Sequence, residues 1–250
     1  MSENQKKIWI TGASSGIGKA VAEKFAKEGW KVAVSARRKE LLNELAGNQN
    51  IKSFPLDVTN RDQINSVFKS ILNDFGNVDI CFFSSGTYEP KDEQNIDPNK
   101  IKNVINVNFL GVIDCVKAVE DFFKKKKSGH ISIVSSIAGY RGLPNSSGYG
   151  PSKAALTNFS ESIYFDFKKY GVRVSIVSPG FIKTPLTDKN QFSMPFLKTP
   201  EYAADKIYNG LVKNSAFEIH FPKGLTLTLK FLRILPYRLY LFLVDKLVKR

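Results

Sequence analysis

The sequence predicts an α/β fold in which a doubly wound parallel sheet is covered by helices on both faces, a three-layer α/β/α arrangement. Three observations predict it. Short apolar segments alternate with longer segments of helical periodicity along most of the chain. Most of the short segments are apolar without interruption, as strands buried on both faces must be. A glycine-rich turn joins the first strand pattern to the first helical one, and this is the connection at which such sheets bind phosphate groups.

Taken in order, strands are expected at residues 7–11, 31–35, 51–55, 78–84, 130–135, 173–178 and 217–221. Helices are expected at 17–28, 39–46, 61–73, 101–125, 148–170 and 200–213. The chain has 250 residues, enough for one domain with a large core. That domain is taken as residues 1–222, with residues 223–250 as a C-terminal amphipathic helical extension.

Composition excludes some classes. With 42% hydrophobic and 24% charged residues the chain reads as globular. Lys and Arg number 37 against 23 Asp and Glu, a net charge of +14 that favours phosphorylated or polyanionic partners. Nucleic acid is not expected, because the aromatic residues follow core patterns rather than interleaving with basic ones. Cys81 and Cys115 sit in apolar stretches and read as buried thiols of a reducing compartment. His130 and His220 have no carboxylate or cysteine at ligand spacing, so no metal site is expected. No apolar run of signal type opens the sequence, and none reaches the ~17–25 residues of a membrane span. A cytoplasmic protein is the expectation.

The glycine turn reads Thr11-Gly12-Ala13-Ser14-Ser15-Gly16-Ile17-Gly18. Its glycines let the backbone approach a pyrophosphate, and the helix that follows offers free N–H groups to the anion. Gly12, Ser14, Ser15, Gly16, Ile17 and Gly18 are therefore candidate dinucleotide contacts. The second strand ends in Ser35-Ala36-Arg37-Arg38, with no acidic residue where a carboxylate would bind ribose hydroxyls. A guanidinium pairs bidentately with a 2′-phosphate, so NADP(H) is expected, with Arg37 leading and Arg38 second. Asp57 and Val58 follow the third strand and are expected at the adenine edge.

Tyr149 and Lys153 are four residues apart, on one helical face. Pro151 then lies in the first turn, where its missing N–H does no harm, and Ser147 or Asn145 is the expected cap. The lysine ammonium favours the phenolate of the tyrosine, whose ordinary pKa is about 10. Ser136 ends an apolar strand thirteen residues earlier, where its hydroxyl can meet the substrate oxygen that Tyr149 protonates.

These landmarks occur in one order together with Asn108 in Asn106-Val107-Asn108-Phe109 and with Pro179-Gly180 followed by Thr184. On them the sequence resembles the short-chain dehydrogenases/reductases over roughly residues 5–222. The resemblance implies a Rossmann-like sheet and hydride transfer between nicotinamide and a carbonyl carbon. Tyr149 would be the acid or base, Lys153 would hold the nicotinamide ribose, and Ser136 would position the substrate oxygen. Asn108 would anchor a water leading from Lys153 to solvent. Pro179, Gly180, Ile182 and Thr184 would hold the nicotinamide. It also implies a homodimer or tetramer. One landmark departs: the family's Asn-Asn-Ala-Gly is here Ser84-Ser85-Gly86-Thr87. Gly86 is kept as a cofactor contact, and the missing asparagine amides are expected to weaken a structural hydrogen-bond set.

Residues 185–197 should form the substrate lid, with Leu186, Phe192, Met194, Phe196 and Leu197 making it apolar. An apolar ketone, aldehyde or secondary alcohol is the expected substrate. The alternatives are an NADPH-binding regulatory protein without turnover, which the full Asn108, Ser136, Tyr149 and Lys153 set argues against, and a charge-driven nucleic-acid binder. In the extension, Thr226, Lys230 and Arg233 share one stripe and Pro236 separates two helices. The second carries Arg238, Asp245, Lys246, Lys249 and Arg250 on its polar side. Both are amphipathic and basic, the pattern of an in-plane anchor on an anionic membrane. Packing of the same apolar faces on the domain or on a partner subunit is the alternative.

Overall fold

Seven strands, β1 (Lys7–Thr11), β2 (Lys31–Ser35), β3 (Ile51–Ser53), β4 (Ile80–Phe83), β5 (His130–Val134), β6 (Arg173–Pro179) and β7 (Glu218–Phe221), form one sheet. All neighbours pair in parallel, in the order β3-β2-β1-β4-β5-β6-β7. The structure, a computed structural model, describes residues 5–88, 96–214 and 216–247.

Strand residues serve the two faces alternately. Ile8 and Ile10 enter the cluster that α1 (Gly16–Lys27), α2 (Lys39–Leu45) and α7 (Pro200–Tyr208) build on one side. Trp9, between them, enters the cluster of α3 (Arg61–Phe75), α5 (Gly111–Lys126) and α6 (Tyr149–Lys168) on the other. With both faces covered, β4 is apolar along its whole length, and the polar His130 and Ser132 of β5 are buried. Trp9 stacks on Phe68 at 5.5 Å, meets Phe83 edge-on at 5.6 Å, and donates its indole N–H to Ser35 Oγ at 3.0 Å.

Two of the expected helices prove to be composite. Residues 101–125 are not one helix: α4 (Pro98–Ile105) passes into a wide π turn at Asn106–Leu110 before α5 begins. The extra residue in that turn re-aims Asn108 inward, a use of π turns that recurs at functional sites. The helix expected over 200–213 likewise ends at Tyr208 and continues as a π turn, Asn209–Lys213. The start of α6 also differs. Gly148 occupies the N-cap position, and Ser146 Oγ accepts from Gly150 N at 2.9 Å. Ser147 Oγ is buried without a partner, and Asn145 takes a left-handed backbone turn, φ +52°.

The extension forms α8 (Lys223–Ile234) and α9 (Tyr237–Leu247), broken at Pro236 as its missing N–H requires. Two residues of its expected polar stripe, Thr226 and Lys230, turn inward, while Arg233 stays exposed. Thr226 is buried, with its hydroxyl 2.7 Å from His220 Nδ1, and Lys230 pairs with the Glu218 carboxylate. The reason lies in β7, an edge strand whose alternate residues Glu218 and His220 need polar partners that α8 supplies. Leu227, Phe231 and Ile234 are left facing outward. Lys249 and Arg250 lie outside the described residues.

His130 sits inside β5, with Nε2 2.7 Å from Ser175 Oγ. Burial first, and then the nearby Arg173, lowers its pKa from 6.5 to about 3. The folded state therefore binds this proton less readily than the unfolded chain, so the contribution is complete above pH 6.5 and is lost as pH falls toward 3. Urea titrations of the wild type should show an extra loss of about 1.4 kcal/mol per pH unit below that point, absent in His130→Gln. Parallel profiles for the two proteins would refute this assignment.

Candidate active site

The strand order reverses direction between β1 and β4. A cleft of about 840 Å³ opens at the carboxyl ends of the strands there, where open α/β sheets bind their ligands. Gly12, at φ +70°, passes so near the end of β4 that a Cβ would lie 2.7 Å from Ser85 N. A Cβ on Gly18 would lie 2.3 Å from Gly12 O. Only glycine allows both approaches. Ser15 takes the N-cap position of α1 without a side-chain cap hydrogen bond, and Ser14, Gly16 and Ile17 also line the cleft.

The departure at Ser84 finds its account here. Ser84 Oγ donates to Thr11 O at 2.6 Å, tying the end of β4 to the end of β1 directly beneath the glycine turn. One short hydroxyl thus supplies a cross-strand tie at this position. Gly86 lines the same wall, and a Cβ there would stand 3.7 Å from Lys153 Nζ.

At the far end of the turn Arg38, not Arg37, reaches across. Its Nε and Nη2 donate to Ser14 Oγ at 3.2 and 2.9 Å, and Nη2 also donates to Ser15 Oγ at 2.8 Å. Arg37 lines the cleft beside it. Glu40 lines it too, but from the first turn of α2 rather than the end of β2. Asp57 and Val58 form the floor, with the Asp57 carboxylate accepting from Thr59 N and Oγ1 at 2.9 and 2.8 Å.

Lys153 lies in the second turn of α6, almost wholly buried, with Nζ donating to Val134 O at 2.9 Å and 5.6 Å from the Tyr149 ring. Burial lowers its pKa from 10.5 to about 8. Its own carbonyl accepts from Ser135 Oγ at 2.7 Å, which fixes α6 against β5. Asn108 is fully buried. Its amide donates to Thr87 O and Ser152 Oγ at 3.0 and 3.1 Å, and its Oδ1 accepts from Thr87 N at 2.7 Å. Ser136 lines the cleft and caps a short turn, accepting from Ala138 N at 3.2 Å. The Tyr149 ring rests on Tyr88 at 4.9 Å. A phenol beside a buried amine that titrates near neutrality is equipped to give and take a proton.

Pro179, Gly180, Ile182 and Thr184 line the wall after β6. Of the expected lid, Pro185, Leu186, Thr187 and Lys189 line the cleft, so Leu186 is the one residue of the expected apolar set that does. Phe192, Met194, Phe196 and Leu197 do not line it. The Ile182–Lys198 bridge pins both ends of the lid loop together and directs its tip away. There Phe192 rests on Phe181 at 5.9 Å, Met194 Sδ lies 3.3 Å from Asn190 Nδ2, and Phe196 and Leu197 stand exposed. Thr87, Tyr88, Ser135 and Ser152 were not anticipated. Ser152 was within reach of the helical register, next to Lys153, whereas nothing in the sequence marks Tyr88.

The model of the short chain dehydrogenase family matches residues 6–194. An oxidoreductase of Myxococcus xanthus is 32% identical over 236 residues, 92% of this chain and 93% of that one. A short-chain dehydrogenase of Streptomyces avermitilis superposes with a TM-score of 0.82 at 24% identity, covering 98% of both chains. ElxO, solved with NADP bound, gives 0.77 at 28% identity, covering 90% of this chain and 99% of its own.

The buried lysine makes stability depend on pH. Its folded pKa of about 8 lies below 10.5, so the unfolded chain holds more protons between those values and stability rises with pH there. Measured without nucleotide, wild type should gain on Lys153→Met by up to about 3 kcal/mol across that window. A difference that stays constant with pH would show that Lys153 is not desolvated.

Proposed function

The chain belongs to the short-chain dehydrogenase family, and on that premise we propose an NADPH-dependent oxidoreductase that interconverts an apolar ketone or aldehyde with its alcohol. The observation that carries this reading is the convergence on one cleft of the glycine turn, Arg38 and the Tyr149–Lys153 pair. The close approaches at Gly12 and Gly18 fit a pyrophosphate, and the Arg38 guanidinium, held by Ser14 and Ser15, fits a 2′-phosphate with Arg37 beside it. Asp57 and Val58 would flank the adenine, and Gly86, Pro179, Gly180, Ile182 and Thr184 the nicotinamide half. Bound there, NADPH supplies hydride to a carbonyl carbon.

The chain's own groups manage the proton. Tyr149 gives its phenolic proton to the substrate oxygen as it becomes an alcohol, and takes it back in the oxidative direction. Lys153 as ammonium stabilises the phenolate left behind and passes on a proton from solvent. Ser136 donates a hydrogen bond that orients the oxygen. Asn108 is a positioning residue: it locks the π turn to Thr87 and Ser152 and so holds the wall behind Lys153. Leu186 lines the substrate side of the cleft.

Exposed Leu110 and Phe165, just before α5 and on α6, support assembly of these helices with their copies into a homodimer or tetramer. Free, buried Cys81 and Cys115 suit the cytoplasm. Residues 1–222 would form the catalytic unit.

Two measurements test the reading. Wild type should use NADPH with a kcat/KM at least about tenfold above that for NADH, and Arg38→Asp should erase the preference more completely than Arg37→Asp. Equal efficiency with both nucleotides in the wild type would reject the assignment. Tyr149→Phe should lower kcat by about 100-fold or more while NADPH affinity holds. Binding of NADPH with no turnover by the wild type on a broad carbonyl panel would favour a regulatory protein instead.

A further inference from the structure

Half of the large apolar side chains that stand exposed among the described residues lie on α8 and α9. On α8, Leu227, Phe231 and Ile234 are 55%, 61% and 76% exposed, at spacings of four and three that make one outward stripe. On α9, Leu241 and Phe242 are about as exposed.

These faces are held outward. Thr226 and Lys230 bond inward to His220 and Glu218. Arg141 Nη1 donates to the carbonyls of Leu232, Arg233 and Leu235 at 3.2, 3.0 and 2.7 Å, closing the C-terminal end of α8. The same guanidinium stacks 4.4 Å from Tyr237 and 4.0 Å from Tyr240, and the Tyr240 hydroxyl donates to Gly142 O at 2.6 Å. The outward apolar stripes therefore belong to a pair of helices fixed on the domain from several directions.

Charge decides what meets them. Lys223, Arg233, Arg238 and Lys246 are exposed on the same two helices, and residues 223–250 carry seven Lys and Arg against one acid, Asp245. A second copy in a two-fold contact would set this basic frame against itself. An anionic bilayer offers the opposite charge to the frame and hydrocarbon to the stripes. No described helix is long and apolar enough to cross a membrane, so the helices would lie in its plane.

The patch also adjoins the cleft. Gly180, in the cleft wall, packs so close to α8 that a Cβ would lie 3.0 Å from Leu225 Cδ2. A Cβ on Gly224 would lie 3.3 Å from the Phe196 ring of the lid, whose backbone is left-handed at φ +60°. The lid tip, turned away from the cleft, thus extends the apolar surface of α8.

We propose that the outward faces of α8 and α9, together with the lid tip at Phe196, dock in the plane of an anionic bilayer. Resting on the oxidoreductase reading, the substrates reached from that position are carbonyl compounds dissolved in the lipid.

The test is flotation of the full chain with vesicles of phosphatidylcholine alone and of an equal mixture with phosphatidylglycerol. The protein should float with the mixed vesicles at low salt, be released at high salt, and stay behind with phosphatidylcholine alone. Phe231→Ser combined with Phe242→Ser should reduce the bound fraction about tenfold, with NADPH affinity and Tm unchanged. Absence from the mixed vesicles, equal flotation on neutral ones, or equal flotation of the double variant would each overturn the proposal. So would a self-associated species that dissociates in that variant, which would assign the face to a second copy. A protein that floats but turns over no carbonyl leaves the docking surface standing and rejects only the oxidoreductase reading. With turnover established, the double variant should slow reduction of a long-chain ketone held in vesicles while leaving a water-soluble aldehyde unaffected. Equal slowing of both would reject the lipid-dissolved substrate class.

Discussion

An amine buried where the sheet ends sets the terms for everything around it. A charged group out of water is tolerated only with polar partners at hydrogen-bond range, and Lys153 Nζ has the Val134 carbonyl at 2.9 Å. Holding that carbonyl in place fixes the end of β5, and the lysine backbone is held by Ser135, the residue just after that strand. Gly86 lies on the opposite wall, and Asn108 closes the back through Thr87 and Ser152. The π turn before α5 follows from the same demand, since a regular α turn would carry Asn108 around the helix and off this wall.

Much of this was legible in the chain because it depends on local pattern. The uninterrupted apolar strands, the glycine turn and the Tyr149–Lys153 spacing each express a rule acting over a few residues. What was not legible depends on partners distant in sequence. Residues 101–125 keep a helical period through the π turn, so nothing in their pattern announces the extra residue at Asn108. Leu186 and Phe196 look alike as lid residues, yet the Ile182–Lys198 bridge sends one into the cleft and the other out to Gly224. The stripe of Thr226 and Lys230 reads as a solvated face, whereas Glu218 and His220 of β7 draw it inward.

Ser84 and Arg38 show how a departure from the usual pattern can preserve its physics. The close passage of β1 and β4 needs a tie across the strand ends, and a hydroxyl at 2.6 Å from Thr11 O makes one where an asparagine amide is expected. For the proposed 2′-phosphate, a cation fixed in advance would help, because ordering a long side chain costs about 1–2 kcal/mol of entropy. Ser14 and Ser15 hold the Arg38 guanidinium in advance. The two serines of the glycine turn therefore hold the cation that the proposed phosphate would meet.

The loop between Ser136 and Tyr149 binds the extension to the chemistry. Tyr140 donates its hydroxyl to Glu218 at 2.6 Å, and Glu218 also holds Lys230 of α8. One residue further on, Arg141 closes α8 and stacks on the two tyrosines of α9. Ile137 and Tyr140 share a small apolar cluster with Leu225. The segment connecting Ser136 to Tyr149 is thus packed against α8 along much of its course. Removing the helices would leave Glu218 without Lys230, His220 without Thr226 and Arg141 without its three carbonyls, and would take Leu225 off Ile137 and Tyr140. A boundary drawn at Pro222 separates two patterns in the sequence, but in packing the helices form the outer wall of the loop that joins Ser136 to Tyr149.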